Sequence, residues 1–224
     1  MEKLIVTLLA LVLAFSGVYA EENGTADVPV SETEQPGYEC VMGEDGSVTI
    51  TLPANSTTGY EWTAFVLGGD SAEIDDTKTG YVSDPNPEMM DGVGGTSYLV
   101  LKPVQPGESI IRLTYSRGWM NEIVEEIILL ADVNDEMQME VRDVTKEGVM
   151  EGTVLEVNAD DRTVVLMIEG IGDAIVTIPA DMEMPMAEEV IRIYTNGIMT
   201  MSLPPLMNAL AWETVPSDLA RDME

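Results

Sequence analysis

The sequence predicts an all-β protein, with an antiparallel sandwich in its first half and a second, smaller β unit behind it. Three observations carry this. Short strand-like runs recur at regular spacing between residues 38 and 133, separated by turn residues. Within several of them apolar and polar residues alternate, as at Val48, Ile50 and Leu52, which is the period of a half-buried strand. Beyond an acidic joint that begins at Asn134, a further group of short runs starts at Val149.

Taken in order, the chain opens with Lys3, an apolar run from Leu4 to Phe15 and the small-residue close Val18-Tyr19-Ala20, which reads as a signal peptide over 1–20. That run is shorter than the ~20 residues needed to cross a bilayer, and no cysteine follows the cut to carry a lipid. The expectation is a secreted or cell-envelope (extracytoplasmic) protein without stable membrane insertion. Residues 21–37 are acidic, contain Pro and Gly and lack a hydrophobic period, so a flexible acidic tail is expected there. The sandwich occupies 38–134, with runs at 38–42, 47–53, 60–67, weakly 72–82, 96–103, 108–116 and 123–133. Residues 83–95 are too rich in Pro and Gly for regular structure. A linker is expected at 135–146, and the smaller unit at 147–224, from runs at 149–157, 162–168, 173–178 and 190–194. Asn158-Ala159-Asp160-Asp161 supplies a tight turn between the first two of these.

Composition mostly excludes. With 41 Asp and Glu against 10 Lys and Arg, the formal net charge of -31 repels nucleic acid and anionic lipid. The absence of histidine removes Ser-His and Cys-His catalytic arrangements together with every imidazole metal site. The single cysteine, Cys40, has no partner for an internal disulfide and is expected to be a buried structural thiol. The 16 methionines are scattered and read as packing residues, and no complete calcium loop surrounds the adjacent acids at Asp75-Asp76 or Asp160-Asp161. No catalytic residue, metal or cofactor is assigned.

Three loops of the sandwich stand out. Asn55-Ser56-Thr57-Thr58-Gly59-Tyr60 is polar and thin and returns through Tyr60, Trp62 and Phe65, aromatic residues able to anchor its base; taken alone it also suits an ordinary hairpin connection. Gly92-Val93-Gly94-Gly95 allows unusual backbone angles and close approach of another surface, but no helix and no Lys-Ser/Thr follows to make a phosphate cradle. Arg117-Gly118-Trp119 places a guanidinium and an indole on one loop, the residue types that most often anchor interfaces. The competing reading is a tryptophan that plugs the end of the sandwich.

In order and spacing these segments resemble the signatures of the chagasin family of cysteine-protease inhibitors, Asn-Pro-Thr-Thr-Gly-Tyr/Phe, Gly-X-Gly-Gly and Arg-Pro-Trp/Phe. The resemblance covers residues 38–134 and implies an immunoglobulin-like β-sandwich whose three loops gather at one end as a wedge. It further implies that Thr57, Thr58 and Gly59 enter the cleft of a papain-like (cathepsin L-type) cysteine protease while the other two loops grip its flanks. Inhibition would be reversible, non-covalent occlusion. Ser56 and Gly118 stand where the family has proline, which frees each unbound loop at a cost of about 0.4–1 kcal/mol. Asn55-Ser56-Thr57 is also a glycosylation sequon, and a glycan there would block insertion, which favours a host without such glycosylation. Residues 191–212 resemble a small bacterial domain of OB type, implying an OB-like β-barrel. This half is acidic and poor in aromatics, which argues against nucleic-acid binding. A non-inhibitory envelope or adhesion module is the competing reading of the whole chain.

Overall fold

The structure, a computed structural model, describes residues 37–86, 88, 90–119 and 123–216. The expected signal peptide and all but the last residue of the expected tail lie outside the described residues. The first nine strands are β1 (Glu39–Met42), β2 (Val48–Ala54), β3 (Tyr60–Gly68), β4 (Ala72–Ile74), β5 (Gly80–Ser83), β6 (Gly95–Pro103), β7 (Gly107–Arg117), β8 (Ile123–Val133) and β9 (Met139–Asp143). One sheet runs β1-β2-β6-β4, with β5 also paired to β6, and the other runs β3-β7-β8-β9. All pairings in both are antiparallel.

Two sheets each with an apolar face close on one another, which gives the immunoglobulin-like sandwich. Val48, Ile50, Leu52, Leu99 and Leu101 from the first sheet meet Ile111, Leu113, Ile127, Leu129, Ala131 and Val133 from the second. The weak run at 72–82 resolves into β4 and β5, separated by a turn in which Asp75 Oδ1 accepts from Thr77 N at 3.1 Å.

Two expectations change. Residues 135–146 are not a bare linker, because Met139–Asp143 forms β9 on the edge of the second sheet, paired with β8. Its acids Glu140 and Asp143 face solvent, Met139 is fully buried and Val141 packs half-buried against the core, so the hydrophobic alternation is only two residues long. Cys40 is exposed rather than buried, since β1 is an edge strand whose four residues all face solvent.

The remaining strands are β10 (Val149–Asn158), β11 (Thr163–Ile168), β12 (Gly172–Thr177), β13 (Val190–Met199) and β14 (Leu206–Thr214). They close into a barrel in the order β10-β11-β12-β14-β13, with β12 and β14 its one parallel pair. This is an OB-like barrel, filled by Val154, Val164, Leu166, Val176, Ile191 and Ile193 among others.

Barrel and sandwich share a further buried cluster. Ile110, Ile128 and Leu130, on the outer face of the second sheet, pack with Val144, Tyr194 and Ala211. Beside it Arg112 Nη1 donates to Glu213 Oε2 at 3.1 Å, Arg112 Nη2 also reaches Glu213 and the Tyr194 hydroxyl, and Tyr194 donates to Glu213 at 2.6 Å. Covered on both faces, β8 is buried continuously from Ile127 to Ala131, the pattern of a strand with no solvent side.

Candidate functional site

The first loop is built by one side chain. Asn55 caps a single 3-10 turn, Ser56–Thr58, and its Oδ1 accepts from Thr57 N at 3.2 Å and from Thr57 Oγ1 at 2.6 Å. The Thr58 hydroxyl donates to Asn55 O at 2.6 Å, and Gly59 closes the turn with φ +78, donating its N–H to Ser56 O at 3.1 Å. Both threonine hydroxyls are thus folded back into the turn. The capping interactions hold the loop without the proline that Ser56 replaces.

Asn55 also ties this loop to the second. Its Nδ2 donates to Gly92 O at 3.0 Å, and its backbone N–H donates to the Tyr115 hydroxyl at 3.1 Å. Gly92 has φ +80, and Gly94 O accepts from Asp84 N at 3.0 Å. Gly95 begins β6 opposite Ala54, where a Cβ would collide with the Tyr81 hydroxyl and the Val82 carbonyl. Val93 and Gly94 are half-buried between these fixed points.

The third loop meets the first from the other side. A Cβ built on Gly59 would lie 2.5 Å from Trp119 Cη2, so the indole edge rests directly on the glycine. Trp119 is nonetheless 73% exposed, which rules out the plug reading. Tyr60 and Arg117 are partners across β3 and β7, and the Arg117 guanidinium carbon lies 4.3 Å from the Tyr60 ring centroid. Gly118 is exposed, and a Cβ there would touch only Glu61 Oε1, at 3.7 Å. All thirteen residues singled out in the sequence therefore belong to one end of the sandwich, with Ser56, Thr57, Thr58, Gly92, Gly118 and Trp119 exposed.

Of the aromatic residues expected to anchor the base of the first loop, Tyr60 and Trp62 pack there on Tyr115, whereas Phe65 is largely exposed. Tyr115 stacks on Trp62, with ring centroids 5.1 Å apart, and tilts against Tyr60 at 5.4 Å, while Trp62 Nε1 donates to Pro53 O at 3.0 Å. Tyr115 is the part of the base not legible in the sequence, where its signal was weak: an aromatic residue close before Arg117 on a strand. Glu61, Asp84 and Asp91 are exposed around the loops. Among the described residues no group of three or more Cys, Asp or Glu is placed to hold a metal ion.

Fold and geometry together define a β-sandwich that presents three exposed loops as one continuous surface. Residues 42–129, which contain all three loops, match the family described as Chagasin family peptidase inhibitor I42. Among solved structures the chain is similar to that of the cysteine protease inhibitor EhICP2 from Entamoeba histolytica, at 27% identity and a TM-score of 0.32, over 37% of this chain and 73% of that one. A comparison with curated proteins returns no match.

Proposed function

We propose that this protein is a secreted, reversible, non-covalent inhibitor of papain-like cysteine proteases. The turn over Ser56–Thr58 with Gly59 would seat in the enzyme's active-site groove, and the glycine loop and Trp119 would hold its flanks. The observation that carries the reading is the contact of three sequence-distant loops, Asn55 to Gly92 and Gly59 to Trp119, inside the segment that matches an inhibitor family. A groove shaped for an extended peptide admits a single thin turn, and one already fixed by its own hydrogen bonds loses little entropy on docking. Both threonine hydroxyls are engaged within the turn, which suits occlusion rather than covalent trapping. Action outside the cytoplasm is part of the proposal and is supported by the signal-like start of the sequence.

The test is inhibition of papain by the full chain and by a variant lacking residues 57–59. The full chain is expected to lower turnover reversibly, and the deletion to abolish most of that effect. Equal inhibition by both proteins would overturn the assignment of the turn.

A further inference from the structure

From Ile193 to Trp212 the chain carries no charged side chain, although the protein's formal net charge is -31. The middle of that stretch is the end of β13 and its connection to β14, and its large apolar side chains are exposed. Ile198 is 67% exposed, Met201 104% and Leu203 98%. Its polar groups, though exposed, bond to one another. Thr200 N donates to Leu206 O at 2.9 Å, Leu206 N to Thr200 Oγ1 at 2.8 Å, and Ser202 Oγ to Pro204 O at 2.8 Å, with the Thr200 and Ser202 hydroxyls 2.7 Å apart. Pro204 and Pro205 add no N–H groups.

Outward apolar side chains combined with polar groups bonded within the loop have a physical meaning. In water this arrangement exposes large apolar side chains to no benefit, whereas a loop that enters lipid must satisfy its polar groups internally and offer apolar groups outward. A cleft of about 400 Å³ at the loop's base is lined by Thr163, Ile175, Thr177, Asn196 and Asn208 among wholly uncharged residues, while the charged Glu108, Arg142 and Glu147 meet β13 at Asn196 and Gly197, before Ile198. Tyr194 lies beside Arg112 and Asn196 beside Glu108, so β13 heads along β7 away from Arg117 and the three-loop end.

We propose that the end of β13 and the β13–β14 loop form a peripheral lipid anchor in which Ile198, Met201 and Leu203 enter the surface of an electrically neutral bilayer, leaving the three-loop end turned to solution. The molecule does not span the bilayer in this arrangement. The overall negative charge selects against anionic surfaces, and a narrow tip inserts between headgroups more readily than it forms a broad protein interface.

Flotation of the full chain with phosphatidylcholine vesicles tests this. Co-flotation is expected, reduced at least tenfold in the double variant Met201→Ser/Leu203→Ser and weakened by phosphatidylglycerol at low salt. A Leu203→Trp variant gives a readout that does not depend on loss of binding: its emission should shift to the blue on adding the same vesicles. Absence of flotation by the wild-type chain, or equal flotation of the double variant, overturns the proposal. So does self-association of the wild-type chain in sedimentation that the double variant abolishes without any lipid binding, which would make the loop a contact between copies.

Discussion

Asn55 holds three parts of the site at once: the turn through Thr57, the second loop through Gly92, and the sheet through Tyr115. Replacing it with Ala removes the cap and the bridge between loops but leaves the backbone bond to Tyr115. The expected outcome is a loss of about 1–2 kcal/mol, read as a roughly five- to thirtyfold weaker inhibition constant for papain. The same geometry bears on the sequon, since a glycan on Asn55 Nδ2 would displace the Gly92 carbonyl. Trp119→Ala separates two roles of an exposed indole. Folding stability should stay within about 0.5 kcal/mol of wild type in a denaturant melt, whereas inhibition should weaken by about 2 kcal/mol, the scale of an interface anchor. A tryptophan that mainly supported the fold would give the reverse pattern. At this scale a glycine at the tip of the first loop was legible in the sequence. That Trp119 covers it was not, because the two are joined only by tertiary contact.

At the scale of elements, β7 serves both ends of the sandwich. Toward Arg117 it presents Tyr115 to the first loop, and toward Gly107 it presents Ile110 and Arg112 to the barrel. Tyr115→Phe keeps the stack on Trp62 and removes the bond to Asn55, so thermal melts should show a loss of about 1 kcal/mol, with a several-fold weaker inhibition constant. Gly68, the last residue of β3, lies against the Leu210 carbonyl, with which an added Cβ would collide. Gly68→Ala should therefore destabilise the protein by about 1–3 kcal/mol in the same melts, as overpacking does. The alternating strand β2 was readable because its buried Val48, Ile50 and Leu52 alternate with half-exposed threonines, whereas β6 alternates in sequence but is buried on both faces from Leu99 to Leu101. The run of buried residues in β8 has no wet face, and its sequence alone does not say what covers the second side. β9 was missed because its alternation, Met139 and Val141, is too short to stand out within the acidic joint.

At the scale of the molecule, sandwich and barrel are joined by apolar packing and by charge. Burial pushes the Glu213 carboxyl up, but hydrogen bonds from Arg112 and Tyr194 and the charges of Arg112 and Arg192 outweigh it, leaving the group below its ordinary range. A carboxyl depressed in the folded state adds stability above its unfolded pKa, about 4.3, and that stability is lost as pH falls through the folded value. The melting-temperature difference between wild type and Glu213→Gln should thus be largest near neutral pH and shrink as pH drops below about 4. A difference that stays constant down to pH 3 would show that Glu213 does not act through its charge. The joint also matters for dissection: a chain ending at 134 would lack β9 and uncover Ile110, Ile128 and Leu130, so inhibition is best measured on the full chain. The most direct measurement is a titration of papain with the intact chain at fixed substrate, followed by dilution. Turnover that falls in a saturable way and recovers on dilution is predicted, and unchanged turnover at micromolar inhibitor would contradict it.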